Sequence, residues 1–294
     1  MPTAIFIDAN FFLHRFPLAY LDKDKKDPAL VAKTLHEMAL DHLTQPGDVE
    51  RKDLYRIFVY DCTPLSKKAH YPISGRAIDF SGTPEATFRL QFHRELTRLR
   101  KVVLRLGRLQ DLSSRAFWRV KPSVLEKQLL SGKREFGSLT DDDFEPDVLQ
   151  KGVDMKIGLD IASVAYKKQA DQIVLVADAD FVPAAKLARR EGIDFILDPM
   201  WSDIAKDLHE HIDGLRSTCP RISKMDLIRH KLAKAEKEKA SPPSPAAEAV
   251  ETGTSDAEKV TRPEQASPRE ERRFKLWKAM GMLDSDKEVE SSSE

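Results

Sequence analysis

Short apolar runs alternate with amphipathic stretches through most of the chain, and several of the runs end at an aspartate. The runs have the pattern of strands that are buried on both faces. They predict strands at Ala4–Ile7, Leu54–Tyr60, Lys101–Leu106, Ile173–Ala177 and Asp194–Leu197. The amphipathic stretches predict helices that begin at Asp27-Pro28 and Thr83-Pro84, and helices over Val148–Lys168, Val182–Glu191 and Ser202–Leu215. Because strands alternate with helices, we expect an α/β fold with a parallel, doubly wound sheet and flanking helices.

The chain divides by composition into a folded part, residues 1–232, and a polar tail, residues 233–294. Within the folded part, residues 107–147 fit no strand–helix unit, and we predict an insertion or lid there, with a helix from Pro122 to Leu130. The tail is poor in large apolar residues, so it cannot offset its chain entropy by burial and is expected to be disordered. Its basic and aromatic segment, residues 270–283, either folds on a protein partner or is an unstructured peptide.

Charge and cysteine content narrow the class of protein. The 48 Lys and Arg residues balance 48 Asp and Glu residues, so no net field draws the whole chain to nucleic acid or to a membrane. Cys62 and Cys219 stand far apart without a CxxC pair, which argues against a disulfide framework and a thiolate zinc site. The N-terminus lacks the basic region of a signal peptide, and no apolar run approaches the roughly 18 residues of a membrane span. We therefore expect a cytoplasmic protein with reduced thiols and no membrane segment.

Aspartates occupy the positions where a parallel sheet presents its functional edge, the C-terminal ends of the strands. Asp8 ends the first predicted strand, and Asp178 and Asp180 follow the fourth. Asp154 and Asp160 lie roughly 60° to either side of the apolar face of one predicted helix. Taken singly, each of these residues could form a turn, cap a helix or accept a hydrogen bond in the core.

Taken together, the carboxylates indicate a site for a hard divalent cation. Like charges that converge on one edge repel each other, and Mg²⁺ or Mn²⁺ removes that repulsion through oxygen ligands. The same cation can activate a water and stabilise a displacement at phosphorus. Softer metals are disfavoured because cysteine and histidine do not cluster, and His209 and His211 fall on opposite sides of a predicted helix.

Two parts of the sequence carry a pattern that can be compared with a known family. The first is Phe6–Asn10, and the second comprises Lys151–Asp154, Asp160, Val174–Pro183 and Ala188–Gly192. They resemble, respectively, the first strand with its Asp-x-Asn turn and the second half of NYN domains, which are relatives of PIN nucleases. The resemblance spans residues 4–215, dense at 150–215 and thin at 62–147. It departs from the family at Val176-Ala177, where Ser-Gly usually stands.

The resemblance implies a PIN-like fold and a metal-dependent endoribonuclease, in which water attacks RNA and no side chain acts as nucleophile. By that resemblance, the residues that bind Mg²⁺ or Mn²⁺ and form the catalytic set would be Asp8, Asp154, Asp178 and Asp180. Asn10 and Asp160 would support this set or orient the substrate.

A basic segment offers a surface for RNA. Residues 89–134 contain 13 Lys and Arg against three Asp and Glu. Such a surface can contact phosphates, and aromatic rings within it can stack on bases. We predict that RNA contacts Arg105, Arg108, Arg115, Trp118 and Arg119. The alternatives are that the acidic stretch 135–147 pairs these charges within the protein, or that it occupies the groove in place of nucleic acid.

Other functions compete with this one. A haloacid dehalogenase-type phosphatase needs a second aspartate where Asn10 stands, and a lone Asp178-Ala-Asp180 is a weak signal for a glycosyltransferase. The serious rival is a catalytically inactive PIN-like module that binds RNA or protein. Metal ligation and turnover use the same residues, so the sequence leaves both functions open, and it leaves the oligomeric state open as well.

Overall fold

A seven-stranded sheet forms the centre of the fold in a computed structural model, which describes residues 2–44, 51–111, 117–178, 181–223, 225–230 and 232–233. The strands are β1 (Thr3–Asp8), β2 (Leu54–Cys62), β3 (Lys68–His70), β4 (Ala77–Asp79), β5 (Val102–Asp111), β6 (Trp118–Val120), β7 (Phe144–Pro146), β8 (Val148–Lys151), β9 (Gln172–Val176), β10 (Asp194–Asp198) and β11 (Gly214–Leu215). The large sheet has the order β11-β10-β9-β1-β2-β5-β8, and β8 is its one antiparallel strand.

Helices cover both faces of this sheet. They are α1 (Ala9–Ala19), α2 (Pro28–Asp41), α3 (Pro84–Arg98), α4 (Pro122–Val124), α5 (Val153–Tyr166), α6 (Val182–Arg190) and α7 (Lys206–Glu210). On one face, α1, α2 and α3 pack their apolar sides against β1 and β2, while α5 and α6 pack against the other face. The expectation of an α/β fold with flanking helices is thus confirmed, and the sheet that we expected to be parallel is parallel except at β8.

Two helix starts form as the sequence predicts. Asp27 caps α2 by accepting the backbone N–H groups of Ala29 and Leu30 at 2.9 and 3.1 Å. Thr83 caps α3 by accepting the N–H of Ala86 at 3.2 Å. In both helices proline takes the first position, where its missing N–H leaves no intrahelical bond unmade.

Three local expectations were wrong or incomplete. The first four residues of the helix predicted over Val148–Lys168 form strand β8, because Val148–Lys151 pairs with the far end of β5 before α5 begins. Only Lys206–Glu210 of the helix predicted over Ser202–Leu215 is helical, and Gly214–Leu215 instead pairs with β10. The sequence did not predict α1.

The region predicted as an insertion, residues 107–147, contains the antiparallel pair β6–β7, which packs beside the β3–β4 hairpin from an earlier part of the chain. β5 continues to Asp111, past the predicted strand end, and the predicted helix Pro122–Leu130 appears as α4 and a π-helical turn over Leu125–Leu129. The hairpins β3–β4 and β6–β7 share an aromatic cluster of Tyr71, Phe80, Phe117 and Trp118. These ring contacts pack the two strand pairs against each other.

The described residues lie within one unit, Met1–Glu238. Of the predicted tail, all but residue 233 lies outside the described residues, and so does its basic and aromatic segment. No helix among the described residues is long and apolar enough to cross a membrane.

Gly107 lets the start of α5 approach β5 closely. A Cβ at this position would lie 2.8 Å from Val153 Cγ2, 2.9 Å from the carbonyl oxygen of Lys151 and 3.0 Å from Cys62 Sγ. We expect Gly107→Ala to lower the free energy of unfolding by about 1–3 kcal/mol, because a backbone carbonyl cannot move aside as a flexible side chain can. Urea denaturation would measure this loss.

Gly82→Ala is the matched control, because nothing lies within 4 Å of a Cβ built there. Equal stability of the two variants would contradict the close approach at Gly107.

Candidate functional site

Asp8 links the end of β1 to the start of α1. Its Oδ1 accepts the backbone N–H groups of Asn10 and Phe11 at 2.8 and 3.1 Å, which caps the helix and leaves Oδ2 for another ligand. Burial raises the pKa of Asp8 to about 6, against the lowering effect of these two hydrogen bonds. The charges of Asp154 and Asp178 contribute to this rise, so both carboxylates act on Asp8 electrostatically.

The elements around β1 bring these two aspartates to the same edge. Asp178 follows β9, whose last residue, Val176, pairs with Ile7 of β1. Asp154 lies in the first turn of α5 and is exposed, although its neighbour Val153 is buried against the sheet. Asp178 is exposed too, whereas Asp180 lies outside the described residues.

The donor atoms at this edge suit a hard cation. They are carboxylate oxygens, the ligands that Mg²⁺ and Mn²⁺ prefer. The Cys62 thiol, a softer ligand, is close enough to Asp8 for the Asp8 charge to affect its pKa. Burial raises the pKa of Cys62, so the thiol stays protonated. The site chemistry therefore favours oxygen coordination.

The oxygens of Asp8, Asp154 and Asp178 are not all within 4.8 Å of one another, whereas those of Asp207, Glu210 and the ring of His211 are, alone among the described residues. That second group is mainly exposed and lies on α7 and the residue that follows it. Joint ligation at the sheet edge would require rotation of Asp154 and Asp178, both of which are exposed.

Asp160 is engaged with neighbouring strands. Its Oδ2 accepts the hydroxyl of Tyr60 at 2.8 Å, and its Oδ1 accepts from Arg105 Nη2 at 3.2 Å. Burial and this hydrogen bond raise the pKa of Tyr60 well above its usual range, so the phenol remains a donor. Because Tyr60 pairs in register with Asp8, Asp160 anchors α5 beside the site.

A second polar network lies at the C-terminal end of β2, and the sequence analysis did not predict it as part of the site. Asp61 is fully buried and accepts hydrogen bonds from Arg89 Nη1, from His93 at 2.8 Å and from the N–H of Cys62 at 2.8 Å. Arg89 Nη2 also donates to Asn10 Oδ1 at 3.0 Å. The sequence did contain a signal for this network. Asp61 stands at a strand end, and Arg89 and His93 are four residues apart, so they lie on the same face of a helix.

The arginines that are predicted to contact RNA differ in whether they form ion pairs within the protein. Arg105 pairs with Asp160, and Arg119 pairs with Glu145 and Asp147 at 2.7 and 3.7 Å. Arg108 is exposed on β5, and Arg115 lies outside the described residues. Trp118 stacks on a ring of the aromatic cluster and donates its indole N–H to the carbonyl of His70 at 2.8 Å.

The acidic stretch makes local contacts in the same hairpin region. Arg134 binds both carboxylate oxygens of Asp143 at 2.8 Å, and this contact, with the N–H of Thr140, lowers the pKa of Asp143 to about 2. Asp141 accepts the N–H groups of Ile73 and Ser74 at 3.0 and 3.1 Å. Asp143 thus pairs with Arg134 of the basic segment, as the pairing alternative describes, whereas Asp141 binds the turn between β3 and β4.

Comparison with known proteins gives no functional assignment. No protein-family model matches the chain, and no curated protein matches it. A crystal structure of a protein of unknown function from Vibrio parahaemolyticus is similar over 73% of this chain and 90% of that chain, with 16% sequence identity and a TM-score of 0.36.

Proposed function

We propose that this protein is a metal-dependent endoribonuclease with a PIN-like fold of the NYN type. The observation that carries the proposal is the electrostatic convergence of Asp154 and Asp178 on Asp8, at the C-terminal edge of a mostly parallel sheet. In open α/β sheets, this edge is where ligands bind. The resemblance of the sequence to NYN domains supports both the cleavage reaction and the choice of RNA.

The four aspartates, Asp8, Asp154, Asp178 and Asp180, would hold Mg²⁺ or Mn²⁺. Of those that the structure describes, Asp8 is fixed by its helix cap, Asp154 lies on α5 and Asp178 follows β9. A bound cation supplies Lewis acidity and lowers the pKa of a water near the phosphate. The protein's own contribution is positional: β1 and β9 set the spacing of Asp8 and Asp178, and Gly107 lets α5 bring Asp154 to the same edge.

Incubation of purified protein with labelled RNA, with Mn²⁺ and separately with chelator, tests the proposed activity. A nuclease produces internal fragments with Mn²⁺ and none with chelator. Binding without cleavage under both conditions would instead identify the inactive module, and fragments that persist in chelator would exclude a metal-dependent reaction.

Arg108 should contribute more to RNA binding than Arg119, because the carboxylates of Glu145 and Asp147 already neutralise Arg119. We expect Arg108→Ser to reduce the slope of log affinity against log salt concentration by about one, the value for one lost phosphate contact. Arg119→Ser should leave the slope unchanged. Fluorescence anisotropy over a salt series measures both slopes, and a larger effect at Arg119 would mean that its ion pairs open to receive RNA.

A further inference from the structure

The contact between Arg89 and Asn10 fixes the orientation of an amide beside the candidate metal site. Asn10 is exposed, two residues after Asp8, and its Oδ1 lies 3.0 Å from Arg89 Nη2. Arginine has only donors, so the amide oxygen must face it. The amide NH₂ group, on the other branch of the same planar carboxamide, is then turned away from Arg89.

Arg89 itself is held in place from the other side. Its Nη1 donates to the fully buried carboxylate of Asp61, and His93 Nε2 approaches the second oxygen of the same carboxylate at 2.8 Å. The Arg89 side chain is 15% exposed, so its guanidinium is enclosed. A planar guanidinium can serve Asp61 and Asn10 at the same time, which the single nitrogen of a lysine cannot do in the same geometry.

We infer that Arg89, anchored on Asp61, is a positioning residue that turns Asn10 into a hydrogen-bond donor for a phosphate oxygen of RNA. The inference rests on the proposed function, and it assigns Asn10 to the substrate and not to the metal. Asparagine binds a hard cation through its oxygen, and here that oxygen is occupied by a guanidinium, whose positive charge opposes a cation at the same position. A phosphate oxygen needs a donor, and the NH₂ group of Asn10 supplies one.

With this assignment, the proposed cation ligands and the proposed phosphate donor lie on opposite sides of the sheet edge. Asp154 and Asp178 act on Asp8 from α5 and β9, and this carboxylate side suits the cation. Asn10 and Arg89 stand on α1 and α3, which pack on the opposite face of the sheet. A phosphate between these sides would meet the cation on one side and the Asn10 donor on the other, so its non-bridging oxygens would be oriented.

Two affinities measured on each variant test the inference. The first is for a labelled single-stranded RNA in chelator, and the second is for Mn²⁺ without RNA. Asn10→Ala should weaken RNA binding about tenfold, as expected for a hydrogen bond to a charged group, and leave Mn²⁺ affinity unchanged. Weaker Mn²⁺ binding by this variant would make Asn10 a metal ligand, and unchanged RNA affinity would remove the donor role. Both results overturn the inference.

Arg89→Lys tests the positioning role. The lysine keeps the charge but cannot hold Asp61 and Asn10 together, so RNA affinity should fall as in Asn10→Ala. The double variant should bind RNA no more weakly than Asn10→Ala alone, because both changes remove one contact. Additive losses would show that Arg89 acts by another route and overturn the inference. Arg94→Lys, an exposed position on the same helix, is the matched control and should bind like the parent.

These measurements separate the inference from the proposed function. A parent protein that binds Mn²⁺ but not RNA refutes the ribonuclease proposal and the donor role together. A parent that binds both, with an Asn10→Ala variant identical to it, refutes the donor role alone. Asn10 is exposed and forms no part of the core, so Asn10→Ala keeps the test available if Arg89→Lys does not fold.

Discussion

Replacing Asp8 with asparagine is expected to make the protein more stable at pH 7, by on the order of 2 kcal/mol. The pKa of Asp8 is about 6, against 3.8 for an ordinary aspartate, so ionising it in the folded state is unfavourable. Asparagine keeps an oxygen for the N–H groups of Asn10 and Phe11, and it caps helices as well as aspartate does. The substitution therefore removes the charge and retains the cap.

The sign of the pH dependence follows from the raised pKa. Between the unfolded value of 3.8 and the folded value of about 6, the folded state binds more protons than the unfolded state, so the parent loses stability as pH rises through this window. Asp8→Asn should lack this loss. The two proteins should have equal stability near pH 3.5 and differ fully above about pH 6.

Thermal melts in chelator across this pH range measure the effect, and we expect a melting temperature roughly 4–8 °C higher for the variant at pH 7. Asp8→Ala is the matched control, because it removes the charge and the cap together and should gain less, by about 1 kcal/mol. A variant Asp8→Asn that melts below the parent at pH 7 would contradict the account, since Asp8 would then stabilise the fold as an ionised group.

Asp178→Asn is expected to reduce the rate of Mn²⁺-dependent RNA cleavage by about a thousandfold. A metal ion contributes several kcal/mol of charge stabilisation in the transition state, and each factor of ten in rate corresponds to about 1.4 kcal/mol. Because Asp178 is exposed, the substitution should leave the fold intact. Single-turnover cleavage of labelled RNA at saturating protein gives the rate.

Asp207→Asn is the matched control for that rate, because Asp207 belongs to the group with Glu210 and His211 whose ligand atoms are close enough to share an ion. This variant should cleave at the parent's rate. The reverse pattern, with loss at Asp207 and none at Asp178, would move the metal centre to α7.

The central part of the sheet could be predicted because its strands carry their own signal. β1 and β9 are buried along almost their whole length, so each reads as a continuous apolar run. The edge elements lack this signal. Val148–Lys151 is mostly exposed and is a strand only through its partner β5, some 40 residues away in sequence. Such pairing is a tertiary effect that local patterns do not encode.

Local sequence patterns also failed to predict the structure near the end of the domain. Met200 and Trp201 adopt left-handed backbone angles, φ 46° and 61°, and the Trp201 indole donates to the carbonyl of Cys219 at 2.8 Å. Further along, Gly214–Leu215 pairs with β10, so the helix that the apolar spacing favours is limited to Lys206–Glu210. In α1, by contrast, a helix forms where the local sequence does not favour one. Pro17 lies inside it, and aromatic residues weaken its helical propensity.

The candidate site, too, was only partly predictable from the sequence. Aspartates that follow strands could be recognised in the sequence, because all C-terminal ends of parallel strands meet at one edge. The partners of each side chain could not. Asp160 serves Tyr60 and Arg105, and the sequence distance of 79 residues between Arg89 and Asn10 hides their contact. Which aspartates complete an ion pair inside the protein is decided only when the helices are packed.

Calorimetric titration of the RNA-free protein with Mn²⁺ tests the central claim most directly. The account predicts saturable binding to the parent, affinity reduced at least about tenfold in Asp8→Asn and Asp178→Asn, and unchanged affinity in Asp207→Asn. Absence of Mn²⁺ binding to the parent, or affinity lost only in Asp207→Asn, would contradict a metal centre built on the aspartates at the edge of the sheet.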